Sequence, residues 1–165
     1  MEFVAHTPDG RIVRYVDKKR YLWLASLSGP LIPVVAIAAY FLLGERPAVL
    51  WFPLVYIFVF IPIADAFFGE DQHNPPEEIV PLMANDPYYR MLLYVALVLI
   101  YAQFFAGAWF LGTQSVPWWA YLALALGTGF TSALAILVGH ELGHKQSRVD
   151  RIAAQIATGL LGYGH

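Results

Sequence analysis

Four long apolar segments, separated by short polar connections, organise this chain. They cover residues 21–43, 47–68, 91–111 and 116–139, and each is about long enough to cross a bilayer as a helix of roughly 20 residues. Backbone polar groups in lipid have to be satisfied within each segment, which favours helices. Only residues 44–46 separate the first two segments, so these must form an antiparallel hairpin. The pattern predicts an all-α integral membrane bundle with four transmembrane helices.

Basic residues indicate how this bundle is oriented. Five of them lie in residues 11–20, before the first span, and Lys145, Arg148 and Arg151 follow the fourth. With four spans both clusters fall on one side, which the positive-inside rule makes cytoplasmic. Apolar residues at helical spacing over residues 150–161 predict a short further helix. The expected order is four transmembrane helices followed by a histidine-bearing helix on the cytoplasmic side.

Composition supports a membrane protein and excludes several kinds of site. Hydrophobic residues make up 59% of the chain and charged residues 13%, whereas soluble domains carry about 25% charged residues. The net charge of −2 argues against nucleic acid as a partner. The absence of cysteine excludes disulfides, thiolate metal ligands and a cysteine nucleophile. The first twenty residues are polar, so no cleavable signal peptide is expected.

The motif His140-Glu141-Leu142-Gly143-His144 is the strongest chemical signal in the chain. It closes the charge-free stretch of residues 91–139. Histidines four apart on a helix lie about 40° apart around its axis, so both imidazoles can reach one metal ion. The position predicts a metal at a membrane surface, next to hydrocarbon, as in metalloenzymes that act on apolar substrates.

Other interpretations of this motif stay open. In a zinc protease Glu141 would be the general base, but residues 145–165 contain no glutamate as third ligand, and Ser147 and Asp150 replace the glycine and histidine of the extended motif. A carboxylate-bridged di-iron bundle needs a second Glu-x-x-His element and two more inward glutamates. A non-catalytic bundle that only binds metal, or histidines that only cap a helix, are further alternatives. The middles of the spans carry no charge, which is unlike a transporter.

Asp65, near the cytoplasmic end of the second span, suggests where an apolar substrate could pass. A carboxylate near hydrocarbon is expected to turn inward, and Ile57, Phe58 and Ile61 share its helical face by the three-and-four rule. We therefore expect these four residues to line a substrate channel. The alternative is that Asp65 contacts water at the headgroups. Gln103 on the third span is a similar polar residue within an apolar segment.

Four segments of the chain together resemble one family. They are YVDKKRYLW at residues 15–23, the FGEDxxNPPEE run at 68–78, HELGHK at 140–145 and GYGH at 162–165. In this order they resemble the bacterial membrane-bound alkane 1-monooxygenases, whose histidine-box iron site is related to that of membrane desaturases. The resemblance implies a multi-pass protein of the bacterial inner membrane with two non-haem irons. It implies oxidation of the terminal methyl of medium- to long-chain alkanes by O2, with electrons from rubredoxin and, upstream, a rubredoxin reductase.

The same resemblance assigns roles to particular residues. By motif, His140 and His144 would be iron ligands, and His165 would be either a ligand or a hydrogen-bonding neighbour of one. A second box of the form E-H-x-x-x-H-H is expected just beyond His165. Residues 1–165 would then be the N-terminal part of a single hydroxylase domain. On its own this part is not expected to be active.

Overall fold

The computed structural model describes residues 1–69 and 74–163, and four of its helices are long and apolar enough to span a membrane. These are the first span (Arg20–Leu42), the second span (Pro47–Phe68), the third span (Pro87–Thr113) and the fourth span (Trp118–Gly143). The predicted membrane bundle is confirmed.

The third span begins four residues before the predicted start, so it includes the charged Arg90. Asp86 caps this helix by accepting a hydrogen bond from the Tyr88 backbone N–H, and Pro87 occupies its first position. Both are favourable at a helix start, because the first turn has unpaired N–H groups and proline has none to leave unpaired. The cap, rather than the last charge, sets the boundary.

The first, third and fourth spans form the core of the bundle. At the end far from the histidines, the rings of Tyr40 and Phe110 meet edge to face with centroids 5.0 Å apart. The start of the second span joins this core, because Leu50 is buried in the same cluster as Tyr40 and Phe110. The second span also packs on the fourth span, where Gly127 permits the approach of Pro53. A Cβ at Gly127 would lie 2.6 Å from the Pro53 Cβ.

The second span changes helix type along its length. It begins as a 3-10 helix (Pro47–Trp51), continues as an α-helix (Phe52–Val55), and then forms a π-helical turn (Tyr56–Phe60) before the α-helix Ile61–Phe68. Pro62 accounts for the π turn, because proline has no N–H and its ring clashes with the carbonyl four residues earlier. The extra residue in the turn rotates the preceding residues relative to those that follow.

The fourth span is broken once, near its middle. It consists of the segment Trp118–Ser132 and the segment Leu134–Gly143, which we call the histidine segment, with Ala133 between them. The predicted histidine-bearing helix is therefore the final segment of the fourth span. The next helix, Arg148–Gly159, carries no histidine.

The last helix, Arg148–Gly159, confirms the predicted short helix after the spans, capped by the Ser147 side chain. Of the apolar residues that suggested it (Ile152, Ala153, Ile156 and Leu160), only Ala153 is fully buried. Ala153 and Ala157 are buried against the histidine segment, whereas Ile152 and Ile156 are exposed. Small side chains face inward because the two helices are closely packed.

A two-stranded antiparallel sheet at the N-terminus was not predicted. Strands β1 (Glu2–His6) and β2 (Ile12–Val16) pair in register from Glu2 and Val16 to His6 and Ile12. Phe3 and Ala5 of β1 are buried against Ile79. The prediction of an all-α fold thus holds for the membrane helices, and a small hairpin packs on the connection that precedes the third span.

Candidate metal centre and apolar cavity

His140 lies in the histidine segment, and His144 is the residue that directly follows it, on the same side of the helix. Their Nε2 atoms are 3.1 Å apart, and the ring centroids are separated by 4.5 Å. Both residues are exposed. Two ring nitrogens this close, on side chains that water can reach, are able to turn toward a single cation, and neutral imidazole is a common metal ligand. The spacing predicted from sequence thus brings the two rings together, while metal binding itself stays a prediction.

Further ligands would have to come from outside the described residues. Across residues 1–69 and 74–163, no three histidine, aspartate or glutamate side chains gather where they could hold an ion. His165, which was considered as a ligand or its neighbour, lies outside the described residues, as does His73. The histidine pair fits a metal in the chemistry of its donors but supplies only two of them.

The histidine segment presents different faces to its surroundings. One face packs on the last helix, where a Cβ at Gly139 would lie 2.8 Å from the Thr158 Cγ2 atom. A second face, with Val138 and Glu141, borders a cavity. His140 follows from Glu141 by a rotation of about 100°, so the histidines occupy the side next to the cavity face.

The cavity has a volume of about 590 Å³ and lies in the histidine half of the bundle. It is open on one side and is lined by the first, third and fourth spans and by the short helix Val80–Ala84. This volume is within the usual range of ligand pockets, about 300–1,000 Å³. Its walls are formed by Trp23, Ser26, Pro30, Pro75, Val80, Met83, Ala84, Tyr89, Leu92, Leu93, Ala96, Ile100, Leu134, Leu137, Val138, Glu141 and Lys145.

Among the described residues, the charged groups of this wall lie at one end. Glu141 and Lys145 lie one helical turn apart, and the Lys145 ammonium donates a hydrogen bond to the Ala84 carbonyl. The remaining wall residues are largely aliphatic and aromatic. The cavity is therefore suited to an apolar molecule whose one end lies close to the histidine pair. Sequence reasoning missed this cavity, because no pattern shows which faces of the spans stand apart.

The four residues expected to line a substrate channel lie elsewhere. Phe58, Ile61 and Asp65 are exposed and Ile57 is half-buried, and none of the four borders the cavity described above. Phe58 meets the ring of Phe130 in the fourth span, with centroids 5.1 Å apart. The π turn also changes which residues share a face with Asp65. The channel along the second span stays a prediction.

An ion pair joins the first and third spans at the histidine end. The Arg20 guanidinium donates two hydrogen bonds to the Asp86 carboxylate, at 2.8 and 3.0 Å, and lies over the Tyr88 ring at 4.2 Å. Both charged side chains are largely buried. The Arg20 guanidinium holds the pKa of the Asp86 carboxyl below its usual range, because it stabilises the ionised form. This ion pair links the first span to the start of the third span beside the cavity.

A second ion pair holds the last helix in place. The carboxylate of Asp150 accepts hydrogen bonds from Arg90 at 2.9 Å and from the Tyr94 hydroxyl at 2.5 Å. Farther along, the Tyr101 hydroxyl donates to the Ile156 carbonyl at 2.6 Å. The last helix is thereby fixed to the third span while it packs on the histidine segment. Sequence reasoning missed this pair as well.

No protein-family model matches the chain. Three relatives are the alkane 1-monooxygenases of Ectopseudomonas oleovorans and Pseudomonas putida, each 42% identical over 153 residues, and the alkane 1-monooxygenase 1 of Alcanivorax borkumensis, 39% identical over 153 residues. Each alignment covers 92% of this chain and 37% of the relative. The chain therefore spans well under half the length of the relatives it matches.

Proposed function

We propose, from the similarity to alkane 1-monooxygenases over 92% of its length, that the chain belongs to this family and forms part of a membrane enzyme that hydroxylates alkanes. The reaction inserts one oxygen atom of O2 into a C–H bond of the terminal methyl group and reduces the other oxygen atom to water, with electrons from reduced rubredoxin and protons from solvent. The observation that carries the proposal is the 39–42% identity to three enzymes of that name. The histidine pair beside an apolar cavity is the feature of this structure that supports it.

We propose that His140 and His144 hold iron in a centre of two non-haem ions, completed by donors outside the described residues. His165 is the nearest candidate in sequence. Iron, when bound, supplies the activation of O2. The chain contributes two imidazoles one helical turn apart. Packing on the last helix holds the histidine segment that carries them in place. A zinc protease would use the same two histidines, but the relatives support the oxygenase.

An alkane has no polar group, so its recognition has to come from shape and apolar burial. Each CH2 transferred from water contributes roughly 0.8 kcal/mol. The cavity offers such burial between spans that are themselves in contact with lipid, the solvent of the substrate. Its charged end at Glu141 is next in sequence to His140. The face of Ile57, Phe58, Ile61 and Asp65 is a second candidate path, on the second span.

We propose that the protein lies in the bacterial inner membrane with the histidine end in the cytoplasm. The basic residues support this orientation, because those before the first span and after the fourth span are on the same side of the bundle. Rubredoxin, and the reductase that reduces it, would then act on the cytoplasmic side. Membrane lipids would surround the faces of the spans that do not pack on one another.

Conversion of alkanes to 1-alkanols tests this function. The full-length protein, produced with a rubredoxin and its reductase in a host that cannot oxidise alkanes, should form 1-alkanols from an alkane series. His144→Ala should abolish product formation, and His6→Ala, an exposed histidine of β1, should leave it unchanged. Absence of any alcohol from the wild-type protein, with the protein present in the membrane, would contradict the proposal.

A further inference from the structure

A cluster of polar side chains lies between the third and fourth spans, far from either end of the third span. Gln103 is fully buried, and Thr128, Thr131 and Ser132 of the fourth span are buried beside it. Gly107 allows this close approach, since a Cβ there would lie 2.9 Å from the Thr128 side chain. Buried polar groups within a membrane are costly unless they are paired, so their presence at this point needs an explanation.

The Gln103 amide bridges two consecutive residues of the fourth span. Its Nε2 donates to the Ser132 Oγ at 2.7 Å, and its Oε1 accepts from the Thr131 Oγ1 at 3.1 Å. Both ends of the amide are thus used. An aliphatic side chain could fill the same space but could not fix these two hydroxyls.

The same two hydroxyls also contact the backbone of their own helix. The Ser132 Oγ lies 2.7 Å from the Thr128 carbonyl oxygen, and the Thr131 Oγ1 lies 3.0 Å from the Gly127 carbonyl oxygen. The single Thr131 proton is donated to Gln103, whereas Ser132 accepts from Gln103 and can donate its own proton to the carbonyl four residues earlier, a bond that tends to bend helices. The break in the fourth span follows at once, at Ala133.

From this arrangement we infer that Gln103 is a positioning residue that fixes the break in the fourth span and so sets the direction of the histidine segment. The inference rests on the proposed function, in which His140 and His144 hold iron. Gln103 contacts neither histidine and acts through the bend. The hydrogen bonds of Gln103 to Thr131 and Ser132 select one arrangement of the two segments, because another arrangement would leave these buried groups unpaired. The Thr128 Oγ1 atom beside them has no hydrogen-bond partner among the described residues.

The length of the histidine segment amplifies any change at the break. His144 is eleven residues beyond Ala133, which at 1.5 Å per residue is about 16 Å along the helix. A change of about 10° in the bend would move His144 by about 3 Å. Catalytic groups have to be held within about 0.5 Å of their working positions. A small loosening of the Gln103 network is therefore expected to disturb a metal centre.

A distance measurement across the break tests the inference without any metal. Residues 1–165 contain no cysteine, so spin labels can be placed by Ala102→Cys, exposed on the third span, and Gln146→Cys, exposed just beyond the histidine segment, with any cysteine elsewhere in the full-length protein replaced. We expect Gln103→Leu to shift the mean distance between the labels or to broaden its distribution, because a change at the break moves the histidine segment sideways relative to the third span. Ser132→Ala should do the same to a smaller extent, and it serves where Gln103→Leu fails to fold. Gln114→Leu, in the connection after the third span, is the matched control.

An unchanged distribution in both Gln103→Leu and Ser132→Ala would overturn the inference. The second measurement is the Mössbauer spectrum of the iron-loaded full-length enzyme. Gln103→Leu should alter it while Gln114→Leu should not, and an identical spectrum would overturn the positioning role even if the label distance changes. If the wild-type protein contains no iron, the proposed function is wrong, whereas the label distances still test whether Gln103 fixes the break.

Discussion

Replacing Gly139 by alanine should destabilise the contact between the histidine segment and the last helix. A Cβ at this position would lie 2.8 Å from the Thr158 Cγ2 atom, 3.3 Å from the Ala154 carbonyl oxygen and 3.4 Å from the Ala157 Cβ. The first distance is too short for a real contact and the second involves backbone. Rotation of one side chain therefore cannot relieve the overlap, and one helix has to move.

The expected magnitude follows from two opposing effects. Overpacking of a close-packed site costs about 1–3 kcal/mol, while alanine in place of glycine within a helix gains roughly 0.5–1 kcal/mol. Gly129→Ala is the matched control, because no atom lies within 4 Å of a Cβ built there. The helix gain is common to both variants, so their difference of about 1–3 kcal/mol isolates the overlap.

Reversible unfolding of the purified protein in detergent measures this difference. Thr158→Ala removes the methyl group that the new Cβ meets first, so adding it to Gly139→Ala should restore part of the lost free energy of unfolding. The remaining contacts with Ala154 and Ala157 should keep the rescue incomplete. If Gly139→Ala is as stable as Gly129→Ala, the two helices are not packed as described and the reasoning is refuted.

Three further predictions concern the ion pairs and the two candidate substrate paths. The pKa of Asp86 is lowered in the folded protein, so its stabilising contribution is complete above its usual pKa of about 4 and is lost as pH falls through the lower folded value. Asp86→Asn should therefore reduce the loss of unfolding free energy that is measured as the pH is lowered from 7. An unchanged pH profile of stability would contradict this prediction. Asp150→Ala should lower the free energy of unfolding by about 2 kcal/mol. This is less than the ~3–5 kcal/mol expected for a fully buried ion pair, since the side chain of its partner Arg90 is 38% exposed. A loss below about 0.5 kcal/mol would instead indicate a solvated pair. Ala96→Phe narrows the cavity and should shorten the longest alkane that is hydroxylated, whereas Ile57→Trp should shorten it if the second span lines the substrate path. Ala102→Phe, at an exposed position of the third span, is the control. If neither Ala96→Phe nor Ile57→Trp changes the product range, both paths are excluded.

The four spans could be predicted because lipid demands long charge-free helices. The sequence pattern misplaced the start of the third span, since the last charge marks where polarity ends and not where the helix begins. Asp86 and Pro87 carry that information as a cap. In the second span, Pro62 disturbs the helix without ending it, and only the structure shows that the result is a π turn.

The hairpin at the N-terminus has a signal that sequence reasoning passed over. Runs rich in β-branched and aromatic residues, EFVAH at residues 2–6 and IVRYV at residues 12–16, flank Pro8-Asp9-Gly10. Gly10 adopts a left-handed φ of 82°, which favours glycine. Two short strands alone are marginal in water. Burial of Phe3 against Ile79 stabilises them here, and a contact between residues so far apart in sequence is not visible in a local pattern.

The histidine pair could be predicted because a spacing of four residues on one helix fixes the relative positions of the two imidazoles. The cavity and the Gln103 network could not, because the first depends on which faces of three spans meet and the second on which faces of the third and fourth spans meet. These spans are apolar on nearly every side, so lipid-facing and bundle-facing residues share one composition. Gln103 itself was noticed as a polar residue in an apolar segment, but its partners, Thr131 and Ser132, became evident only from packing.

Metal analysis of the purified full-length protein tests the central claim most directly. The wild-type protein should contain iron as its main metal. His140→Ala and His144→Ala should each lose most of it while the protein still inserts in the membrane, and His6→Ala should retain the wild-type amount. Wild-type iron in either motif variant, or zinc in place of iron in the wild-type protein, would contradict the account.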